Sequence, residues 1–167
     1  MKFFYKTLLL AVAAIVASCT TDADDEWSAS EVCPESKRGT FVDERDGQVY
    51  KYTTIGKQVW MAQNLNYEVE GSSCEYDDGC KDKGRRYFIG TALYSCPAGW
   101  RVPSHEDWFP LFEKMGGIDI AGLRLKSSSS WMIVDGEGRS NGTDDCGFSV
   151  LPLKPNAKVS RDGIQTR

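Results

Sequence analysis

Histidine is almost absent from this sequence, and its scarcity restricts the chemistry that the chain can carry. His105 is the only histidine among 167 residues, and no two cysteines are spaced as Cys-x-x-Cys. Structural zinc sites usually draw their ligands from such pairs and from histidines, so we expect no metal site. A catalytic triad would have to use His105, which has no nucleophile signature beside it. We therefore expect no catalytic residue, no cofactor and no enzymatic activity.

Positive charge is also in short supply. The chain has 20 Lys and Arg against 24 Asp and Glu, for a net charge of −4. Phosphate binding needs a basic face, so we do not expect nucleic acid to be a partner. The surplus of carboxylates does not by itself make a glycoside hydrolase. Asp144 and Asp145 are adjacent, and adjacent residues on a strand point to opposite faces.

Long hydrophobic runs are missing except for Leu8–Ala17, which is shorter than the ~20 residues of a membrane-spanning helix. Lys2 and Lys6 precede the run, and small residues lead from it to Cys19. This order resembles the bacterial lipobox, in which the cysteine becomes the lipidated first residue of the mature protein. We predict a signal peptide over residues 1–18 and a lipid on Cys19. An ordinary secretory signal and an uncleaved anchor are the alternatives.

Lipidation would hold the protein outside the cytoplasm at a membrane surface. Thr20 stands where an aspartate would resemble an inner-membrane retention signal, so the outer membrane or cell surface is favoured. Residues 19–39 are predicted to form a flexible tether, because their first part is acidic and poor in apolar residues. The acidic run fits either a plain spacer or a surface-export tag. Cys33, within this tether, is expected to be free or to bridge to another chain.

The folded part is predicted to begin with a β meander after Thr40. Asp46-Gly47 and Gly56-Lys57 are turn signals between segments rich in aromatic and β-branched residues. Asp43 together with Asp46-Gly47 also suggests a calcium loop, but the remaining oxygen ligands are missing, so a turn is the better interpretation. Three short antiparallel strands are the expected result.

A helix is predicted to begin after Ser104. The hydroxyl of Ser104 can cap the first turn, and Asp107 completes a capping box. Apolar residues follow at helical spacing as far as Met115, and Gly116-Gly117 ends the helix. Pro110 lies beyond the first turn, so a kink or a tightened first turn is expected there.

The five tryptophans allow two interpretations, a small aromatic core or a sugar-stacking surface. Trp100 and Trp108 fit the core better, because tryptophan at helical spacing usually packs inward. If a binding surface exists, its candidates are Trp60, Asn64, Trp100 and His105.

Residues 40–152 contain a series of motifs in a fixed order. They include Asp43-x-Arg45-Asp46-Gly47-Gln48, Gln58-x-Trp60-Met61-Ala62-x-Asn64-Leu65-Asn66-Tyr67, Cys96-Pro97-x-Gly99-Trp100-x-x-Pro103-Ser104 and Gly147-Phe148-Ser149-x-Leu151-Pro152. The series resembles the Fibrobacter succinogenes major paralogous domain (FISUMP). This family is typical of secreted and lipid-anchored bacterial surface proteins, and no general activity is established for it. The resemblance implies an α+β fold, a small twisted antiparallel sheet with one or two helices, C-type-lectin-like by analogy.

Residues 153–167 are polar and unlike the family's continuation, so we expect an atypical tail on a C-terminally truncated domain. Cys74 and Cys80 flank an Asp-Asp-Gly turn and are the favoured disulfide pair. In the family pattern Cys96 would pair with a later cysteine that this chain lacks. Cys96 is then expected to be free or paired with Cys146.

The expected function is that of a lipid-anchored binding or adhesion module at the cell surface, with polysaccharide as the first candidate ligand. The alternative is a structural or assembly component that contacts envelope proteins and has no small ligand. An anchor, many aromatic residues and no complete catalytic set favour both of these over an enzyme.

Overall fold

The meander predicted from the sequence forms the centre of the computed structural model, which describes residues 26–74, 80–131 and 141–152. Strands β1 (Gly39–Val42), β2 (Val49–Ile55) and β3 (Gln58–Met61) form an antiparallel sheet in the order β1-β2-β3. Strands β4 (Ser72–Ser73) and β5 (Arg86–Tyr87) form a second, two-stranded sheet. The remaining elements are helices: α1 (Ala29–Val32), a 3-10 turn (Glu35–Lys37), α2 (Ile89–Ser95), α3 (His105–Lys114) and α4 (Ile118–Leu125). The predicted α+β class is confirmed.

The turn between β2 and β3 sets the register of the sheet. Gly56 has φ +59°, a left-handed conformation that favours glycine. The turn places Thr53 opposite Trp60. Side chains on a strand alternate between its faces, so the buried residues Thr53 and Ile55 of β2 share one face. That face packs towards the helices.

Helix α3 begins and ends where the sequence predicts. Ser104 and Asp107 form the reciprocal capping box, and the backbone N–H of Ser104 donates to the Asp107 carboxylate at 2.6 Å. The N–H of Gly117 donates to the carbonyl of Phe112 at 2.8 Å, just past the helix end. Pro110 lies inside the helix, which continues to Lys114. Leu111 is fully buried and anchors the inner face of the helix.

The core lies between the meander and the helix pair α3 and α4. Ile55 and Trp60 come from the sheet, whereas Leu111 comes from α3 and Ala121 from α4. A buried disulfide between Cys33 and Cys146 belongs to the same cluster. Both cysteines are at most 1% exposed, so the bond is part of the packed interior.

The chain before the sheet is folded against the domain, in contrast to the predicted flexible tether over residues 19–39. The indole Nε1 of Trp27 donates to the carbonyl of Lys114 at 2.7 Å, and the Arg124 guanidinium lies 3.7 Å from the centre of its ring. The N–H of Gly56 donates to the Val32 carbonyl at 2.8 Å. The tether prediction is therefore wrong from Trp27 onward. Apolar Trp27, Val32 and Cys33 are spaced among polar residues and pack on the core.

The disulfides differ from the prediction in one pairing. Cys74 and Cys80 are joined, the pair favoured by the sequence, and Cys96 is a free thiol among the described residues. Cys146 pairs with Cys33 and not with Cys96. Cys33 is thus neither free nor available to another chain, because it is bonded to Cys146, which lies 113 positions later in the sequence.

Two predicted segments lie outside the described residues: the signal peptide with Cys19, and the tail over residues 153–167. Among the helices that the structure does describe, none has the length and apolar character required to cross a bilayer.

Removing the Cys33–Cys146 disulfide should destabilise the fold more than removing the Cys74–Cys80 disulfide. The first closes a loop of more than 100 residues and the second a loop of about seven, so loop entropy predicts losses of about 4–5 and about 2 kcal/mol. The paired variants Cys33→Ala/Cys146→Ala and Cys74→Ala/Cys80→Ala should be compared by denaturant unfolding. Equal losses in the two variants would contradict the assignment of Cys33 to the core.

Candidate functional site

An open groove of about 740 Å³ runs along β3. One wall is β3 with the residues that follow it to Leu65, and the second is the stretch from Cys96 to Trp108. Residues 148–151 form the third wall. The indoles of Trp60, Trp100 and Trp108 all line this space, which we call the tryptophan groove.

Ring contacts hold the three indoles in place. Trp100 stacks on Phe41 of β1, with ring centres 4.6 Å apart and planes inclined by 23°. Trp60 contacts Trp108 at 5.1 Å and Phe148 at 5.6 Å, so it joins all three walls. Such aromatic contacts contribute about 0.5–1.5 kcal/mol each beyond the area they bury. The indole surfaces in the groove are therefore preformed.

Trp60 carries a polar group without a partner. The residue is 9% exposed, and its Nε1 finds no hydrogen-bond acceptor among the described residues. A buried N–H without an acceptor costs about 1–3 kcal/mol. Buried tryptophan usually finds a partner for this group, so the unpaired donor marks an unusual position in the wall of the groove.

Amide side chains add polar groups to the apolar walls. Gln58, Gln63 and Asn64 all line the groove beside the tryptophans. Gln58 donates from Nε2 to the Asp107 carbonyl at 3.0 Å, and Asn64 donates from Nδ2 to the Lys83 carbonyl at 2.9 Å. Apolar walls with a few fixed polar groups are the usual composition of a ligand site.

A buried ion pair positions the second wall. The Asp43 carboxylate is 1% exposed and accepts from Arg45 Nη2 at 2.6 Å. The same Nη2 donates to the Ser95 carbonyl at 2.9 Å, at the end of α2 and directly before Cys96. The hydrogen bonds from Arg45 outweigh burial and hold the pKa of Asp43 below its ordinary value. This clamp ties the β1–β2 turn to the start of the wall.

The same wall is braced at its other end. Both guanidinium nitrogens Nη1 and Nη2 of Arg101 lie 2.6 Å from the Asp107 carboxylate, in a bidentate pair. The pair, with the Ser104 N–H bond, holds the pKa of Asp107 well below its usual range. Helix α3 and the extended stretch before it are thereby fixed to each other.

The first wall has an unpaired backbone edge. Strand β3 is at the edge of its sheet, and the N–H of Ala62 donates to the Lys51 carbonyl. Antiparallel ladder bonds alternate along a strand, so Val59 and Met61 direct their backbone groups away from β2. No strand among the described residues pairs with that side.

A protein-family model matches the part of the chain that forms this groove. The model of the Fibrobacter succinogenes major domain matches residues 53–163, which include the end of β2, all of β3 and all three walls of the groove. This chain belongs to that family. No curated protein and no solved structure matches it, so the C-type-lectin-like analogy stays an expectation.

The limits of the Fibrobacter succinogenes major domain differ from those expected. The match starts later than Thr40, and residues 153–163, which were predicted to be a tail unlike the family, lie within it.

Among the residues that the structure describes, no three His, Cys, Asp or Glu side chains are grouped so as to hold a metal.

Three of the four predicted binding residues meet in the groove of this major domain: Trp60, Asn64 and Trp100. His105 does not line it. The imidazole is exposed and packs edge-on against Phe109, with ring centres 4.9 Å apart. The first residue of α3 thus points away from the groove, and the tryptophan of the next turn, Trp108, takes its place.

The residues of the third wall were not among the predicted binding residues. Phe148, Ser149 and Leu151 line the groove although they follow β3 by more than 80 residues. Their signal was the Phe-Ser-x-Leu-Pro motif. Cys96 also lines the groove, and burial raises the pKa of its thiol.

Acid should destabilise this domain through Asp43. The pKa of Asp43 in the folded state lies below the unfolded value of about 3.9. The carboxylate therefore contributes its full share of the folding stability above about pH 3.9, and this share is lost as the pH falls through the folded-state pKa. The substitution Asp43→Asn should lower the free energy of unfolding by about 3 kcal/mol at pH 7, because Arg45 loses its charged partner. The same variant should show a smaller decline of the free energy of unfolding below about pH 4. Unfolding in denaturant from pH 7 to pH 2 measures both effects.

The exposed neighbour Glu44 provides the control, since Glu44→Gln removes one carboxylate from the same turn. That variant should unfold like the wild type at pH 7. An Asp43→Asn variant within about 0.5 kcal/mol of the wild type would show that the clamp does not position the wall.

Proposed function

We propose that this chain is a surface module that binds polysaccharide in the tryptophan groove. The observation that carries the proposal is the convergence of three indoles with amide side chains in one open groove. Sugar rings present C–H groups on their faces and hydroxyls at their edges. The electron-rich faces of indoles attract the first, and amides exchange hydrogen bonds with the second.

The groove has the size and the rigidity that such a ligand requires. Its volume of about 740 Å³ lies within the range of about 300–1,000 Å³ usual for ligand sites. The stacking of Trp100 on Phe41 and the two ion pairs that hold the second wall preorganise the binding surface. Preorganised side chains lose little entropy on binding, which favours affinity for a weakly held ligand.

A second candidate function is favoured by the open edge of β3. An extended polypeptide could add to this edge as a further strand and place alternate side chains in the apolar groove. The chain would then be an assembly component that holds an envelope protein. The side chain of Val59 on this strand is 54% exposed.

The proposal includes a lipid anchor at Cys19, on the outer membrane or cell surface. Support comes from Lys2 and Lys6, the apolar run after them, and the small residues before the cysteine. Only residues 20–26 separate Cys19 from Trp27, which packs on the core. Seven extended residues reach about 25 Å, so an anchor at Cys19 would keep the domain near the membrane.

Replacing Trp100 should weaken glucan binding without unfolding the protein. The variant Trp100→Ala removes one stacking surface from the groove, and we expect a loss of roughly tenfold in affinity, which corresponds to about 1.4 kcal/mol. Pull-down on insoluble glucans and titration with soluble oligosaccharides measure it. Trp27→Ala is the matched control, because Trp27 is also partly buried but lies outside the groove.

Equal losses in both variants would indicate general destabilisation and count against the site. If no glycan binds to the wild type, the polysaccharide proposal fails. A partner polypeptide cross-linked through position 59 in intact envelopes would then support the assembly function.

Replacing Cys19 should abolish lipidation. The variant Cys19→Ser lacks the thiol that accepts the lipid, so incorporation of a palmitate analogue should be lost and the protein should leave the mature membrane-bound pool. Metabolic labelling followed by membrane fractionation tests this. Cys96→Ser removes the cysteine that is free among the described residues and should keep the label. Undiminished labelling of Cys19→Ser would contradict the anchor proposal.

A further inference from the structure

Helix α2 exposes an apolar face that no other described element covers. Three of its exposed side chains are Ile89, Leu93 and Tyr94, and Phe88 stands directly before the helix. The four side chains are between 58% and 87% exposed. No residue from Phe88 to Ser95 carries a charge. We call the four side chains the α2 patch.

The inner side of α2 is already occupied by the domain. Ser95 is buried and donates from its hydroxyl to the Thr91 carbonyl at 2.7 Å, and Ala92 lines the tryptophan groove. Polar charged residues normally form the outer face of a surface helix, and a helix without them is normally buried. Exposed apolar patches of several hundred Å² commonly mark interaction sites. The outer face of α2 therefore has the composition of an interface.

Gly90 forms a recess in the middle of the α2 patch. Residues three and four positions apart are neighbours on a helix, so Gly90 is flanked by Leu93 and Tyr94. A Cβ at Gly90 would meet nothing within 4 Å, and its backbone has no left-handed φ that favours glycine. Glycine lowers the stability of a helix relative to alanine, and no described contact requires it here. The close approach of a second helix would require it, because a side chain would hold the two backbones apart.

We propose that the α2 patch binds the α2 patch of a second copy of this chain, with the two helices crossing at Gly90. This interaction goes beyond the polysaccharide function and does not depend on it. A two-fold contact places the same surface on both sides, so that surface must be complementary to itself. The α2 patch has protruding side chains and a recess on one face, so the Tyr94 ring of each copy can fill the recess at Gly90 of the other.

The area and the charge of the α2 patch fit a second copy. Burial of one aromatic side chain removes about 150–250 Å² from water, so the four side chains at these exposures offer roughly 500 Å² per copy and about 1,000 Å² per pair. A specific interface needs about that area as a minimum, so a weak dimer is expected. The chain has a net charge of −4, but the patch is uncharged, so the contact brings no like charges together.

A bilayer fits the α2 patch less well than a second copy does. Trp27, the described residue next to the proposed anchor, donates to the Lys114 carbonyl, and a Cβ at Gly56 would lie 3.0 Å from Lys114 Cγ. The end of α2 instead contacts Arg45 through the Ser95 carbonyl. The two attachments are thus at opposite ends of β2, roughly 20 Å apart for a strand of this length. A short anchor would draw the Trp27 end towards the membrane.

Photo-cross-linking of the full chain in intact cells tests the proposal. Tyr94 is replaced by p-benzoylphenylalanine, which keeps an aromatic ring in the α2 patch and reacts with whatever lies against it. Irradiation should give a product of twice the chain mass, and peptide mapping should place the cross-link in residues 88–95 of the second copy. The same replacement at Ile118, which is 72% exposed beside Asp119 on α4, should give roughly tenfold less of this product.

Substitutions made together with the cross-linker localise the contact. Leu93→Lys places a charge in the α2 patch and Gly90→Leu fills the recess, so each should lower the dimeric product at least about fivefold. Ile118→Lys should leave it unchanged. Gly90→Leu adds apolar area and a better helix former, so non-specific association predicts more dimer where the proposed crossing predicts less. The thermal unfolding temperature of Leu93→Lys should equal that of the wild type, because the position is exposed.

The other outcomes overturn the proposal and leave the groove untouched. Equal dimer from positions 94 and 118 indicates random collision, and an increase with Gly90→Leu rejects the crossing. A product with a different protein shows that another polypeptide covers the α2 patch. A lipid adduct without dimer shows that the patch faces the membrane, and the absence of any product shows that nothing covers it.

Discussion

The Cys33–Cys146 disulfide is the constraint on which the rest of the structure depends. It joins the chain before the sheet to the segment after α4, across a separation of 113 residues, and both sulfurs lie in the core. Noncovalent contacts converge on the same point. Thr53 of the central strand donates to the Cys146 carbonyl at 2.6 Å, and Arg38 donates to the Asp145 carbonyl at 2.9 Å. A three-stranded sheet with short helices buries little apolar surface, so a covalent link has a large share in its stability.

The third wall of the groove follows directly from this bond. Phe148 and Ser149 come two and three residues after Cys146. The Asp144 carboxylate accepts from the Ser149 N–H at 2.7 Å and so fixes the turn from Asp144 to Ser149. The second wall depends on charge instead, through Asp43 with Arg45 and Asp107 with Arg101. Because one wall is held covalently and one electrostatically, reductant and acid should loosen opposite sides of the groove. Trp60 contacts Trp108 in the second wall and Phe148 in the third, so its packing depends on both walls.

The tryptophan groove combines two kinds of surface. Its indoles offer flat apolar faces, and the side chains of Gln58, Gln63 and Asn64 add amide groups beside them. A ligand that contacts both must present apolar faces together with groups that form hydrogen bonds.

The sequence by itself determined the local structure. The turns at Asp46-Gly47 and Gly56-Lys57, the capping box of Ser104 and Asp107 and the favoured pair Cys74 and Cys80 all depend on residues close together in the chain, where backbone preference and short-range hydrogen bonds decide the outcome. Family motifs along the chain were also sufficient to predict the α+β class. Only the tertiary structure decided the partner of Cys33 and the docking of Trp27. Each of these depends on contacts between residues far apart in sequence, and such contacts depend on how the sheet and the helices pack, which no local pattern records.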